Sequence, residues 1–174
     1  MIAHRIVVAS LLFLAPIARA ASTTQAVDPF KVEVTGHGPP MILIPGLGCS
    51  GEVWQETAAH FQDRYECHVL TLAGFAGQKA IDAPILSNER DAILRYIREK
   101  KLNKPVIVGH SLGAILAYAM ASTEPEAIGP IVAVDGVPYM PALLDPAATP
   151  ETMRARADQF RKMIVLHILT NQIC

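Results

Sequence analysis

Five residues constrain this chain more than any others: Gly109-His110-Ser111-Leu112-Gly113 follow directly on the apolar run Pro105–Val108 and precede an apolar segment that continues to about Ser122. A short run rich in Val and Ile reads as a buried strand, and the Ala- and Leu-rich segment after it reads as a helix. Joining the two without a spacer forces a sharp turn whose central residue projects from the carboxyl end of the sheet, and Gly109 and Gly113 leave room for the crowded backbone. The residue so displayed is a serine, a poor nucleophile unless a base removes its proton and donors stabilise the oxyanion that follows. Ser111 is therefore the candidate nucleophile, and a plain glycine-flanked turn is the competing reading.

Around this motif the chain alternates between strand-like and helix-like runs. Lys31 to Thr35 alternate polar and apolar residues, Gly36-His37-Gly38-Pro39-Pro40 supplies a turn, and Met41 to Ile44 are continuously apolar, which together predict a hairpin leading into a buried strand. Pro45-Gly46-Leu47-Gly48 breaks that strand. Ser50 is placed to cap a helix through Gln62, with Val53, Trp54, Thr57, Ala58 and Phe61 on one face. A strand from about Cys67 to Leu72 follows, then a helix over Asn88–Lys100, and after the serine helix another strand over Pro130–Val134. The fold class is α/β: a doubly wound, mostly parallel sheet covered on both faces. Beyond Val137 the alternation stops. Thr149 then caps a further helix with Pro150 at its first position, and Met153, Ala157, Phe160, Ile164 and Ile168 form its apolar stripe.

Donors for an oxyanion are expected from two backbone amides: Leu112, just after the nucleophile, and Leu47, in the loop after the strand Met41–Ile44. These residues enter by position and not by side chain. An ordinary tight turn is the alternative for Pro45–Gly48.

These features, from Phe30 to Val137, resemble the α/β-hydrolase superfamily, in an exported branch similar to esterases, lipases and proline-iminopeptidase-like enzymes. Met41-Ile42-Leu43-Ile44-Pro45-Gly46 resembles that family's strand ending in His-Gly, with Pro45 in place of the His. Leu72-Ala73-Gly74-Phe75-Ala76-Gly77 is similar to its Asp-x-x-Gly-x-Gly turn, with Thr71 or Leu72 where an acid often stands. The resemblance implies a serine hydrolase that acts on a small ester or acyl substrate through an acyl-enzyme. It also implies the chain order Ser, then Asp or Glu, then His.

The later members of that order are poorly supplied. Asp135, at the end of the strand after the serine helix, is the candidate acid, against a role as a strand-end turn residue. His167 is the one histidine downstream of Ser111 and the candidate base, but it sits in the apolar run Ile164–Leu169, where a packed or surface histidine is the plainer reading. His110 is tied to the turn, and His37, His60 and His68 read as turn, helix and strand residues. The sequence is accordingly read as a hydrolase core over 30–136 and the start of a helical lid over 137–174, apparently truncated at its carboxyl end. Its activity is expected to be impaired, with a non-catalytic fragment or binding protein as the alternative. Pro130–Val134 is then an exposed sheet edge that invites self-association.

Composition decides three further points. The formal charge of −1, without basic clusters interleaved with aromatics, argues against nucleic acid and for a small-molecule substrate. Residues 1–20 read as a signal peptide: His4 and Arg5, the apolar run Ile6–Ile17, then Ala18-Arg19-Ala20. That run is too short for the ~20 residues of a membrane span. Cleavage removes Arg5 and Arg19 and no acid, taking the charge from −1 to −3, and leaves 21–29 as a flexible lead-in to an exported, periplasmic or secreted protein. Cys49, Cys67 and Cys174 remain; a Cys49–Cys67 disulfide is open, against Cys67 as a small buried hydrophobe. Neither metal spacing nor a dinucleotide or phosphate loop occurs, so no cofactor is expected.

Overall fold

The computed structural model describes residues 29–81, 84–138, 147–149 and 151–153. Five strands, β1 (Phe30–Gly36), β2 (Pro40–Ile44), β3 (Glu66–Leu72), β4 (Val106–His110) and β5 (Ile131–Val134), form one sheet in the order β1-β3-β2-β4-β5. Only β1 runs antiparallel to its neighbour; β3, β2, β4 and β5 are parallel. The helices are α1 (Gln55–Phe61), α2 (Ile85–Glu99) and α3 (Leu112–Thr123).

The apolar residues of the central strands divide by their period of two between two cores. Ile42 and Ile44 of β2, Leu70 and Leu72 of β3 and Ile107 of β4 pack with Ile93 and Ile97 of α2 and with Leu116 and Met120 of α3. On the opposite face Met41, Leu43, Cys67, Val69 and Val108 pack with Trp54 and Ala58. A continuously apolar strand is thus explained by two covered faces, the doubly wound arrangement expected from the sequence. Polar groups tie α2 to the same sheet. The ring of the buried His68 lies 2.8 Å from the Tyr96 hydroxyl at Nδ1 and 2.8 Å from a Glu66 oxygen at Nε2. A carboxylate only accepts, so Nε2 carries the ring proton and Nδ1 accepts from Tyr96.

The structure corrects several sequence expectations. Residues 31–44 are not a hairpin: β1 pairs with β3, and β2 lies on β3's other side. The reason is burial. Lys31, Glu33 and Val34 are exposed, which suits an edge, whereas β2 is buried along Met41–Ile44 and takes a partner on each side. The helix after Ser50 opens with a 3₁₀ turn, Gly51–Trp54, whose tighter winding shifts the phase and leaves Val53 47% exposed and off the core face. Helix α2 begins three residues before the expected Asn88. Cys67 is a free, fully buried thiol, its pKa pushed up by burial, so the Cys49–Cys67 bridge does not form. His37, His60 and His68 occupy turn, helix and strand as read.

Near Thr149 the capping expectation is met locally. Its hydroxyl accepts from Thr152 N–H at 3.3 Å and its carbonyl from Met153 N–H at 3.0 Å. The stripe beyond Met153, His167 and the leader 1–20 lie outside the described residues. Among the described residues no helix is long and apolar enough to cross a membrane.

Close approach of backbone fixes the junction of β4, β2 and α3. A Cβ on Gly113 would fall 2.3 Å from the Ile44 carbonyl oxygen. Gly113→Ala is therefore expected to lower the unfolding free energy by at least ~2 kcal/mol in urea titrations. Gly77→Ala, where the added Cβ meets nothing within 4 Å, is expected to cost only the ~1 kcal/mol of left-handed backbone. Similar losses for both would contradict the packing account.

Candidate active site

Ser111 lies between the last residue of β4 and the first of α3 with φ 49° and ψ −109°. Positive φ costs a non-glycine residue on the order of 1–3 kcal/mol and persists only where the surroundings dictate it. Here they do. Its N–H donates to the Val134 carbonyl of β5 at 2.9 Å, and its carbonyl accepts from Ala114 and Ile115 N–H at 3.0 and 3.2 Å. Glycines make the turn sterically feasible: a Cβ on Gly109 would sit 2.3 Å from the Gly113 backbone, and one on Gly136 would sit 2.3 Å from Ala114 Cβ. The serine is half-buried at the carboxyl end of the parallel strands.

The loop after β2 reaches the same point. Gly46 lies against the elbow, since a Cβ there would stand 2.9 Å from His110 Nδ1 and 3.5 Å from Ser111 Cβ. Cys49 N–H donates to the Gly46 carbonyl at 3.2 Å and Gly48 has φ 80°, so residues 46–49 form a tight turn with Leu47 near its apex. Among the described residues no hydrogen bond occupies the amide of Leu47 or of Leu112, the latter being the first residue of α3 and one of the helix's open donors. The two expected donors, one in the loop after β2 and one at the start of α3, thus converge at Ser111.

The other candidates are less close to the chemistry. Asp135 follows β5, also at positive φ (48°), and is exposed at the same end of the sheet as Ser111. Its neighbour Gly136 packs onto the elbow helix. His167 lies outside the described residues. The ring of His110 rests beside Gly46, and among the described residues no histidine is hydrogen-bonded to Ser111. No group of three or more His, Cys, Asp or Glu that could hold a metal occurs among them either.

Two residues near this end of the sheet make contacts that no sequence pattern announces. Thr71, noted in the sequence only as standing where a family acid often does, lies at the end of β3 and accepts the Gly51 N–H through its hydroxyl at 2.8 Å. Glu89 of α2 is fully buried, with one oxygen 3.0 Å from Ala73 N–H and the other without a partner among the described residues. In the sequence it is masked by its polar and charged neighbours Asn88, Arg90 and Asp91.

Burial pushes the Glu89 carboxyl from 4.5 up to about 7, opposed in part by the Ala73 hydrogen bond. The folded chain therefore holds this proton to higher pH than the unfolded chain does. The associated stability is fully present below about pH 4.5 and is lost as pH rises through about 7. Urea unfolding at pH 5 and pH 7.5 is expected to show wild type losing roughly 1–3 kcal/mol over this range relative to Glu89→Gln. Equal pH dependence in the two proteins would refute the assignment.

With this geometry in place, sequence relatives can be judged. A family model described as the alpha/beta hydrolase fold matches residues 39–164. The chain is 31% identical over 107 residues to a pimeloyl-[acyl-carrier protein] methyl ester esterase of Vibrio campbellii, covering 62% of this chain and 41% of that protein. It is 31% identical over 110 residues to the Vibrio cholerae protein of the same name, covering 63% and 42%. Among solved structures, E-2-(acetamidomethylene)succinate hydrolase superposes with a TM-score of 0.60 at 25% identity over 65% of this chain and 44% of that one. A marine microorganism esterase does so with a TM-score of 0.65 at 18% identity over 84% and 52%. The chain spans about two-fifths of the length of these curated relatives.

Proposed function

The chain belongs to the α/β-hydrolase fold family, and on that premise we propose that it is a serine hydrolase of small ester or acyl substrates with Ser111 as nucleophile. One observation carries the reading: a serine held in strained, left-handed backbone beside a loop whose Leu47 amide, like that of Leu112, has no partner among the described residues. The Ser111 oxygen attacks the acyl carbonyl, and the negative oxygen that develops is held by the Leu47 and Leu112 N–H groups. The intermediate collapses with departure of the alcohol, which takes up the proton that the Ser111 hydroxyl gave up on attack. Water then cleaves the acyl-enzyme to release the acid and restore the serine. Esterase names among the relatives support an ester as the acyl donor.

Asp135 is proposed as the acid and His167 as the base, with Ser, Asp and His in the family's order. The exposure of Asp135 and the lack of a histidine bonded to Ser111 among the described residues favour impaired turnover, and they keep a non-catalytic binding role as the second reading. Oxyanion donors alone leave a rate enhancement of roughly 10³ over water. The leader pattern of residues 1–20 supports an exported, periplasmic or secreted protein.

A fluorophosphonate probe separates the two readings. Stoichiometric labelling of wild type, mapped to Ser111 and absent in Ser111→Ala, is the expected outcome. A wild-type chain that stays unlabelled while folded leaves the binding role.

Strand β5 also bears on partners. Among the described residues it pairs on one side only, and Val132 and Val134 are 48% and 41% exposed. Such an edge favours self-association of the chain. Sedimentation velocity of Val132→Lys is expected to show less self-association than wild type at the same concentration; an unchanged distribution would remove β5 from the interface.

A further inference from the structure

The segment that carries Leu47 is held at both ends. On the elbow side Gly46 lies against the His110 ring. On the other side Gly51 is pressed onto β3, where an added Cβ would meet Val69 Cγ1 at 2.8 Å and the Leu70 carbonyl at 2.9 Å. That approach brings the Gly51 N–H onto the Thr71 hydroxyl at 2.8 Å. Ser50 closes the same end by accepting from Glu52 N–H at 3.3 Å. The hydroxyl is the distinctive element. Cys67, Val69, Leu70 and Leu72 of β3 are buried apolar groups, and a valine would fit the strand at position 71 as well as threonine does.

We propose that Thr71 is a positioning residue for the oxyanion loop: by holding Gly51 N–H it fixes the turn 46–49 and aims the Leu47 amide at the space beside Ser111. The catalytic half of this proposal rests on the serine-hydrolase reading above; the structural half does not. Thr71 touches no reacting atom. Its effect passes through Gly51 and the turn, so its loss displaces a donor and leaves the nucleophile in place.

The test compares Thr71→Val, which keeps the shape and removes the acceptor, with Thr71→Ser, which keeps the acceptor. Amide hydrogen exchange in the full chain reads the loop directly. In Thr71→Val the Gly51 and Cys49 amides are expected to exchange about fivefold faster or more, as loss of one hydrogen bond implies. Ile107 N–H, bonded to the Pro130 carbonyl in the sheet, is expected to stay at its wild-type rate. Thr71→Ser is expected to match wild type at all three amides. Unchanged Gly51 and Cys49 rates in Thr71→Val, an equal acceleration of Ile107, or loss of Gly51 protection in Thr71→Ser would each overturn the brace. Fluorophosphonate labelling reads the catalytic half: Thr71→Val should lower the maximal labelling rate about tenfold with half-saturation unchanged. Equal maximal rates overturn the link to the oxyanion. A wild-type chain that is not labelled overturns the hydrolase reading, and the exchange rates then decide the brace by themselves.

Discussion

The structure around the site depends on how closely the backbone of α3 approaches β4 and β2. At Gly109 and Gly113 the separation excludes a single carbon atom, and at this crowded junction Ser111 takes a positive φ of 49°. The strain is sustained because the neighbouring strand supplies a fixed acceptor, the Val134 carbonyl, and the helix donates two N–H groups to the Ser111 carbonyl. Strands β2, β4 and β5 and helix α3 therefore share the task of presenting one hydroxyl. The two cores extend this control outward. Alternate residues of β2 and β3 are locked into opposite layers, so a one-residue shift of register would exchange the side chains of the two cores and cannot occur locally.

The carboxyl ends of β2, β3, β4 and β5 consequently act as one platform. The loop after β2 meets the elbow through Gly46, is tied to β3 through Thr71, and has its open amide between these two contacts. Glu89 adds a buried carboxyl beneath the turn after β3, sharing the Ala73 N–H with the Pro29 carbonyl. Burial of that carboxyl, only partly opposed by the Ala73 hydrogen bond, explains why its proton is retained toward neutrality. Polar groups at this end of the sheet thus hold loops, while the proposed chemistry rests on one side-chain oxygen and two main-chain amides.

Much of this was legible in the sequence because it rests on local rules. The serine motif lies between a Val/Ile run and an Ala/Leu run, so its strand–turn–helix context could be read residue by residue, and the buried strands announced themselves by continuous apolarity. The errors arose where tertiary pairing overrides local pattern. A polar-apolar alternation followed by Gly36–Pro40 looks like a hairpin, yet β1 is drawn to β3 because β2 takes parallel partners on both sides. Val53 fell out of phase because a 3₁₀ turn precedes α1. The contacts of Thr71 and Glu89 were not legible because each is one long-range hydrogen bond, with Gly51 and Ala73, and no sequence spacing encodes it.

Whether Ser111 and the amides of Leu47 and Leu112 form one proposed acyl-transfer centre is decided by a crystal structure of the phosphonylated chain. The expected structure has phosphorus on the Ser111 oxygen and the phosphoryl oxygen at about 3 Å from both amide nitrogens. An adduct on another residue, or a phosphoryl oxygen turned to solvent away from the two amides, would contradict it.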